Sequence, residues 1–512
     1  MTDQLAATAF AEQGKVKPFG LGFGSAFPTL WPAAAILALA VLAQSLWETS
    51  ADVSWLITLC EKILSGETPY VDFIESNPPA AIFIYMPGTW IARLLGASPE
   101  LMVALISFVA IFASLSLSAL ILARAGLAQK IGPAGLALAV GAIALLPGHD
   151  FDQREHLGLV AGLPLLSAFI ARASGAKVET SLAVLAGLGG ALMASIKPHL
   201  ALIILAALPY LAWRIGLRGL LTAIELYAAA FFTAIVVALT IVLFPAYLHK
   251  IVPLVATVYA PVRTPLIGLA LNRGFQCWSA LSLCLLLFGR GRIGDSVIAV
   301  PALGSLGAMA VFFIQAKSWP YHVYPAVALM TLGYGAFALE TVAASWRKNT
   351  LVVLTIGAIT LAFAFIYFYR APRQDLAALE RLVAQLAPRP KILVVGPDIS
   401  LGFPLTRHVS GEWVNTPMGL WITASIQYLT RSNAPDEATR REYETYLRFD
   451  RETLVSDIEN KKPDVVLTEN DKWKDWAFAQ ADVAAALAEY APVGAVGEVT
   501  VYGRKLGLRP SE

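Results

Sequence analysis

Residues 48–88 read ETSADVSWLITLCEKILSGETPYVDFIESNPPAAIFIYMPG. Carboxylates at Glu48, Asp52, Glu61, Glu67, Asp72 and Glu75 sit among Trp55, Tyr70 and Tyr85, directly after an apolar run that ends at Trp47. A bare tether between two membrane helices needs neither acids nor aromatics nor the Pro78–Pro79 pair. Glu48 and Asp52 are four apart and share a face if the chain is helical there. One reading makes Asp52 a general base at a membrane surface, tuned by partial desolvation and a nearby cation. The other leaves both acids as solvating groups at a helix start, where negative charge is favoured.

Composition places this stretch in a membrane protein. Of 512 residues, 57% are apolar and 14% charged, whereas soluble domains carry about 25% charged residues. The chain is read as a polytopic α-helical membrane protein. A net charge of +2 gives no reason to invoke nucleic acid. Cys60, Cys277 and Cys284 have neither zinc-site spacing nor the even count of a disulfide framework.

Residues 1–29 are read as a cytoplasmic N-terminal segment, and Leu30–Trp47 as a retained first span rather than a cleaved signal peptide. Further apolar runs lie near 100–123, 133–147, 157–172, 181–196, 199–213, 220–244, 275–289, 296–315, 322–341 and 351–369. The Pro-led run 79–95 is read as an interfacial helix. Only then do the short basic loops with Arg124/Lys130, Arg172/Lys177, Arg214/Arg218, Arg290/Arg292 and Arg347/Lys348 share the cytoplasmic side, as the positive-inside rule requires. About eleven spans follow, with the N-terminus inside and the C-terminus outside. The outer loops are then 48–99, 148–156, the 197–199 corner, 245–274 and 316–321. They hold or adjoin His149, His156, His199, His249 and His322.

The second outer loop, GHDFDQREHLG (148–158), packs His149, Asp150, Asp152, Arg154, Glu155 and His156 together. Ionisable residues at membrane depth are functional candidates by default. Asp150, Glu155 and His156 offer ligands for a divalent cation such as Mg or Mn; alternatively, Arg154 binds a phosphate while Glu155 orients it. Lys197-Pro198-His199 breaks an apolar region, a break tolerated where the chain lines a cavity. Lys197 is there either as a point charge for phosphate or as a side chain reaching the interface. The 245–274 loop is Pro-rich, with Arg263 and Arg273 as anion binders and Tyr247 and Tyr259 as stacking surfaces. It reads as a lid or as an interfacial connector. AKSWPYHVYP (316–325) sets Lys317 and His322 among aromatics of the membrane-interface type.

Beyond Arg370 the sequence turns mixed and charged. KILVVGPD (391–398) and PDVVLTEN (463–470) read as strands, VGEVTVYGRK (496–505) as a further strand or hairpin, and helices are expected near 374–387, 436–460 and 478–489. Residues 30–369 are thus read as a membrane domain and 370–512 as a small soluble α/β domain on the outer side. No G-x-G-x-x-G or G-K-S/T accompanies KILVVGPD, so no nucleotide site is expected. His408, Glu412 and Trp413 are the outer domain's residues of interest.

An acid just after the first span (Asp52), the G-x-x-x-Y-x-D-x turn at Gly66–Phe73 and the Pro78–Pro79 helix start together resemble the GT-C superfamily of integral-membrane glycosyltransferases. That superfamily includes the bacterial aminoarabinose transferases and the protein O-mannosyltransferases. The aminoarabinose enzymes carry an Asp-Glu pair where Asp52 here precedes Val53. The resemblance implies an inverting hexosyl- or pentosyltransferase at the outer face of the bacterial inner membrane. It would move a sugar from a polyprenyl-phosphate donor to a hydroxyl of a cell-envelope glycan, glycolipid or protein. Asp52 becomes the catalytic base. Lys197, in a Lys-Pro similar to that of polyprenyl-phosphate-mannose transferases, and Lys317 are assigned to the donor phosphate. Arg154, Glu155, His199, Arg263, Arg273, His322 and Tyr70 join them as donor- or substrate-binding residues. Two alternatives stay open: a polyprenyl-lipid or polysaccharide transporter or flippase, which also wants basic cavities and broken helices, and an O-antigen-ligase-like transferase with a diphosphate donor.

Overall fold

The computed structural model describes residues 23–292, 294–344, 348–370, 376–432 and 434–505. Most of the segment read as cytoplasmic, and Arg347 of the last basic pair, lie outside the described residues. Among those described, eight helices are long and apolar enough to cross a membrane, from Pro99–Arg124 to Asn349–Phe368. A ninth span forms if Leu30–Leu46 and Ala51–Leu64, bent by 76° to one another, are one broken element. The eleven spans of the sequence reading are reached only if the shorter apolar helices Thr180–Ile196 and Arg273–Phe288 also cross.

The bend has a local cause. Ser50 caps the Ala51–Leu64 helix, its hydroxyl accepting from Val53 N at 3.5 Å, and Asp52 in the first turn suits the positive helix end. Val53 through Cys60 are all buried, so this part of the 48–99 segment is a core helix and not a surface loop. The 79–95 run forms two short Pro-led helices, Pro79–Phe83 and Met86–Leu95. The second buries Gly88, Thr89 and Ala92 and exposes Trp90, Leu94 and Leu95, and Gly96 at φ 64° ends it. At 10 residues it reaches about 15 Å, half the hydrocarbon thickness. The 245–274 connector differs from the sequence reading. It is helical from Tyr247 to Tyr259, with wide turns at Tyr247–Ile251 and Val255–Tyr259 on either side of Val252–Leu254. Pro253 removes a ladder donor there, and wide turns relieve the clash of its ring.

The Arg154–Ala173 helix connects the two ends of the bundle. Arg172 near its C-terminus pairs with Glu225. The same end is laced by Arg124–Glu179 at 2.7 Å, Lys130–Asp295 at 2.5 Å and Arg292–Glu340 at 3.4 Å. These basic loops, grouped on one side by the sequence, therefore meet at one end of the bundle.

The C-terminal region holds a five-stranded sheet, with β1 Lys391–Val395, β2 Glu412–Trp413, β3 Val465–Thr468, β4 Tyr490–Val496 and β5 Val499–Arg504, in the order β2-β1-β3-β5-β4. β1 runs parallel to β2 and β3; β5 is antiparallel to β3 and β4. The two-residue period of a strand sorts its side chains. Ile392, Val394, Val465, Leu467 and Val501 enter the core that contains Trp55, Leu56, Phe73 and Tyr85. Leu393, Val395, Val466 and Tyr502 pack with Leu454, Ile458 and Trp473. The capped helix and the sheet thus share one hydrophobic core. Ile74 N also donates to Thr416 O at 2.9 Å. Arg407, 9% exposed, pairs with Glu61 at 2.5 Å and with Glu100. The 48–88 stretch is thus built into the sheet region as well as into the bundle.

Candidate active site

A cavity of about 640 Å³ lies where bundle and sheet region meet. Glu48 and Asp52, Asp150 and Gln153, and Lys317 and Tyr321 line the bundle side; Pro397–Ser400, Phe403, Met418 and Trp421 line the sheet side. The 397–400 and 418–421 loops follow the carboxyl ends of β1 and β2, the edge at which parallel sheets present ligand-binding loops.

Asp52 is the hub of the polar groups, its side chain 25% exposed. Its Oδ1 accepts from Arg154 Nη2 at 2.9 Å. Its Oδ2 lies 3.5 Å from Gln153 Nε2, which donates more closely to Ser50 Oγ at 2.9 Å. Arg154 is buried. Behind it the fully buried Glu155 accepts from Lys197 Nζ, and His322 Nε2 stands 3.4 Å from the same carboxylate. Charges of alternating sign, Asp52, Arg154, Glu155 and Lys197, thus run from the cavity into the bundle. Each has an opposite neighbour, the condition under which buried charge is tolerated. Arg154 Nε, Glu155 Oε2, His199 Nε2 and His322 Nδ1 have no hydrogen-bond partner among the described residues. Buried polar atoms are nearly always satisfied, so this cluster keeps bonding capacity for a polar guest or water.

Among solved structures, the aminoarabinose transferase ArnT from Cupriavidus metallidurans in the apo state aligns with 92% of this chain and 97% of its own, at TM-score 0.56 and 13% identity. ArnT bound to undecaprenyl phosphate aligns over the same shares at TM-score 0.55 and 15% identity. The chain shares the fold of ArnT. The archaeal oligosaccharyltransferase AglB from Archaeoglobus fulgidus, in complex with an inhibitory peptide and a dolichol-phosphate, aligns with 93% of this chain and 75% of its own at TM-score 0.42 and 12% identity. No protein-family model and no curated protein matches the sequence.

In this fold, Asp52, Asp150 and Lys317 reach the cavity, while Arg154, Glu155, Lys197 and His322 gather behind Asp52 with His199 beside them. Tyr70, Arg263 and Arg273 are not brought to the cavity. Tyr70 is buried, its hydroxyl donating to Asn77 O at 2.8 Å and its ring packed on Tyr247. Arg263 donates to Phe313 O at 2.9 Å and Ile314 O at 3.0 Å, satisfying carbonyls at the end of the Ser296–Gln315 helix. Arg273 is exposed at the start of its own helix. In the sheet region, Trp413 is a core residue between Trp55 and Phe403, Glu412 is exposed, and His408 pairs with Glu380 at 2.6 Å.

The cation set Asp150, Glu155 and His156 is not assembled. His156 Nδ1 accepts from Asp152 N at 3.1 Å, which fixes Nε2 as the donor to Ile143 O at 2.8 Å. Both ring nitrogens are spent, and Glu155 Oε1 is taken by Lys197. Among the described residues no group of three or more His, Cys, Asp or Glu side chains is placed to hold a metal ion.

Burial pushes the Asp150 carboxyl well above its usual range, reinforced by the charges of Glu155 and Asp52. It takes Asp152 up to about 7, opposed by a hydrogen bond from Ser107. Burial, with the Arg263 charge, brings Lys317 down to about 8. Lys317 donates to Tyr259 O at 2.6 Å and to Val262 O, and lies 4.0 Å over the Tyr259 ring. Gln153 and the sheet-side wall were missed in the sequence. An uncharged amide among ionisable neighbours and apolar residues after strands carry no motif.

Proposed function

We propose that this protein is a membrane glycosyltransferase that moves a sugar, with inversion, from a polyprenyl-phosphate donor to an acceptor hydroxyl, with Asp52 as the general base. The observation that carries this reading is the placement of Asp52. It is the carboxylate at the cavity whose Oδ1 is held by a buried guanidinium, while its side chain stays partly open. The fold shared with ArnT, which has been seen with undecaprenyl phosphate, supports a lipid-linked donor.

In the proposed step the acceptor oxygen attacks the anomeric carbon as its proton passes to Asp52. The new C–O bond forms as the bond from the anomeric carbon to the phosphate oxygen breaks, and the electron pair leaves on the polyprenyl phosphate. Water then carries the proton from Asp52. Charge grows on the leaving phosphate, so cations placed at it accelerate the step. Lys317 lines the cavity and has one N–H beyond the two engaged by carbonyls. Arg154 and Lys197, with His199 and His322, form the inner cationic group. The proposed setting is the bacterial cytoplasmic membrane, with the cavity and residues 370–512 on the outer side and 30–369 as the membrane domain. The acceptor is a cell-envelope glycan, a glycolipid or a protein.

The test is release of polyprenyl phosphate in nanodiscs from a panel of hexose- and pentose-charged donors. Wild type is expected to turn over at least one donor, and Asp52→Asn to lose about 10²–10⁴-fold while unfolding at the same temperature. An Asp52→Asn variant with full activity removes Asp52 from the mechanism. A wild type inert to every donor, but moving lipid between leaflets, points to a flippase instead.

A further inference from the structure

One helix start supplies both partners of the Asp52 carboxylate. Gln153 stands at the N-cap position of the Arg154–Ala173 helix, its backbone N donating to Asp150 O at 3.1 Å and its O accepting from Leu157 N at 2.9 Å. The residue is 2% exposed and lines the same cavity as Asp52. A carboxylate only accepts, so the amide must turn its NH₂ end toward Asp52. That choice leaves Gln153 Oε1 buried and without a hydrogen-bond partner among the described residues. An unsatisfied buried amide oxygen calls for an explanation beyond packing.

The two carboxylate oxygens are held unequally. Arg154 takes Oδ1 at 2.9 Å in a charge-assisted bond. Gln153 approaches Oδ2 only to 3.5 Å and makes its shorter bond, 2.9 Å, to Ser50 Oγ. Ser50 is itself the cap of the helix that carries Asp52. One amide therefore reaches both the cap and the carboxylate, and Oδ2 is the less engaged oxygen.

We propose that Gln153 is a positioning residue that holds Asp52 so that Oδ2, and not Oδ1, faces the acceptor and receives its proton. This inference rests on the glycosyltransferase reading above, and goes beyond it by naming the oxygen that works and the residue that presents it. Gln153 touches neither sugar nor phosphate in this scheme. It acts through Asp52 alone.

The test is a double-mutant cycle on donor turnover in nanodiscs, using whichever polyprenyl-phosphate sugar wild type consumes. Gln153→Met keeps length and removes both amide donors; it should lower kcat by about 10–100-fold with the donor KM within about twofold. Gln153→Asn keeps a donor on a shorter arm and should recover part of that loss. In an Asp52→Asn background, Gln153→Met should cost nothing further, because a residue acting through Asp52 has nothing left to position. A purely structural role would instead lower activity by the same factor in both backgrounds. The inference is overturned if Gln153→Met matches wild type, if its loss lies in KM, or if the two substitutions multiply. Should Gln153→Met fail to fold, Gln153→Asn run through the same cycle decides between these outcomes. A wild type inert to every donor would bring down the glycosyltransferase reading itself, which separates that failure from this one.

Discussion

Arg154 Nη2 lies 2.9 Å from Asp52 Oδ1, with the guanidinium side chain 4% exposed and the carboxylate 25% exposed. The cation is rooted in the bundle and the acid stands at the cavity. Arg154 also neighbours Glu155, so its loss leaves two carboxylates short of positive charge. Arg154→Met is expected to destabilise the protein by about 2–4 kcal/mol, near the range for breaking a buried pair but reduced by the exposure of Asp52. Turnover should fall at least as far as in Asp52→Asn. Arg154→Lys restores the charge without the planar fork, and should recover stability more than turnover. Thermal unfolding and donor turnover measured on the same nanodisc samples check both; equal recovery of the two would contradict the geometric role of the guanidinium.

Lys317 gives a pH signature. In the folded protein burial, with the Arg263 charge, pushes its ammonium down to about 8 from an ordinary 10.5. Between those values the unfolded chain binds more protons, so this group's contribution to stability rises with pH across the window. Activity should move the other way. If the Lys317 cation faces the donor phosphate, turnover falls above about pH 8, approaching tenfold per pH unit. Lys317→Met should be slower at neutral pH and lack this alkaline limb. A variant that keeps the limb assigns it to another group.

Glu155 and Lys197 form the innermost pair, with Glu155 fully buried and Lys197 6% exposed. Removing one partner strands the other in low dielectric, so Lys197→Met and Glu155→Gln should each destabilise by about 3–5 kcal/mol. The double variant should be less destabilised than the sum, because neither charge is then stranded. Additive losses in thermal unfolding would show that the two do not interact. If Lys197 also serves the donor phosphate, the double variant regains stability without regaining turnover.

Much of this arrangement is visible in the residues alone. The acids and aromatics of 48–88 marked the stretch before its partners were known, and the density of charge in 148–158 marked the turn that meets it. KILVVGPD and PDVVLTEN became β1 and β3 because runs of β-branched residues bounded by Pro, Gly and Asp read the same way locally and in the fold. The residues placed away from the cavity share a cause as well. Tyr70, Arg263 and Trp413 have side chains suited to ligands, yet each is consumed by a carbonyl or a core that lies far away in sequence or depends on the bend of the chain. A single sequence carries no record of such partners. The two-residue strand β2 and the start of β4 were likewise missed, since β2 is too short to show a period. The joining of the 48–88 stretch to the sheet is entirely a long-range fact, made by the shared core, by Arg407 and by the Ile74–Thr416 bond.

That joining makes the last prediction. Arg407 is the ionic clasp, bonded to Glu61, Glu100 and Thr58, with both acids partly exposed. Arg407→Ala is expected to destabilise by about 1–3 kcal/mol, between the ranges for surface and buried pairs. The more telling readout is where the loosening appears. Because Trp55 and Leu56 lie in one core with Ile392, Val394 and Val465, the capped helix Ala51–Leu64 and strands β1 and β3 should gain hydrogen exchange together, as one cooperative unit. The basic end of the bundle, tied by Arg124–Glu179 and Lys130–Asp295, should keep its protection. Since Asp52 sits in the first turn of that helix, turnover should fall in step with the exchange at Ala51–Leu64. Exchange rising in the sheet alone, with turnover unchanged, would show that the helix carrying Asp52 does not depend on the C-terminal region for its placement.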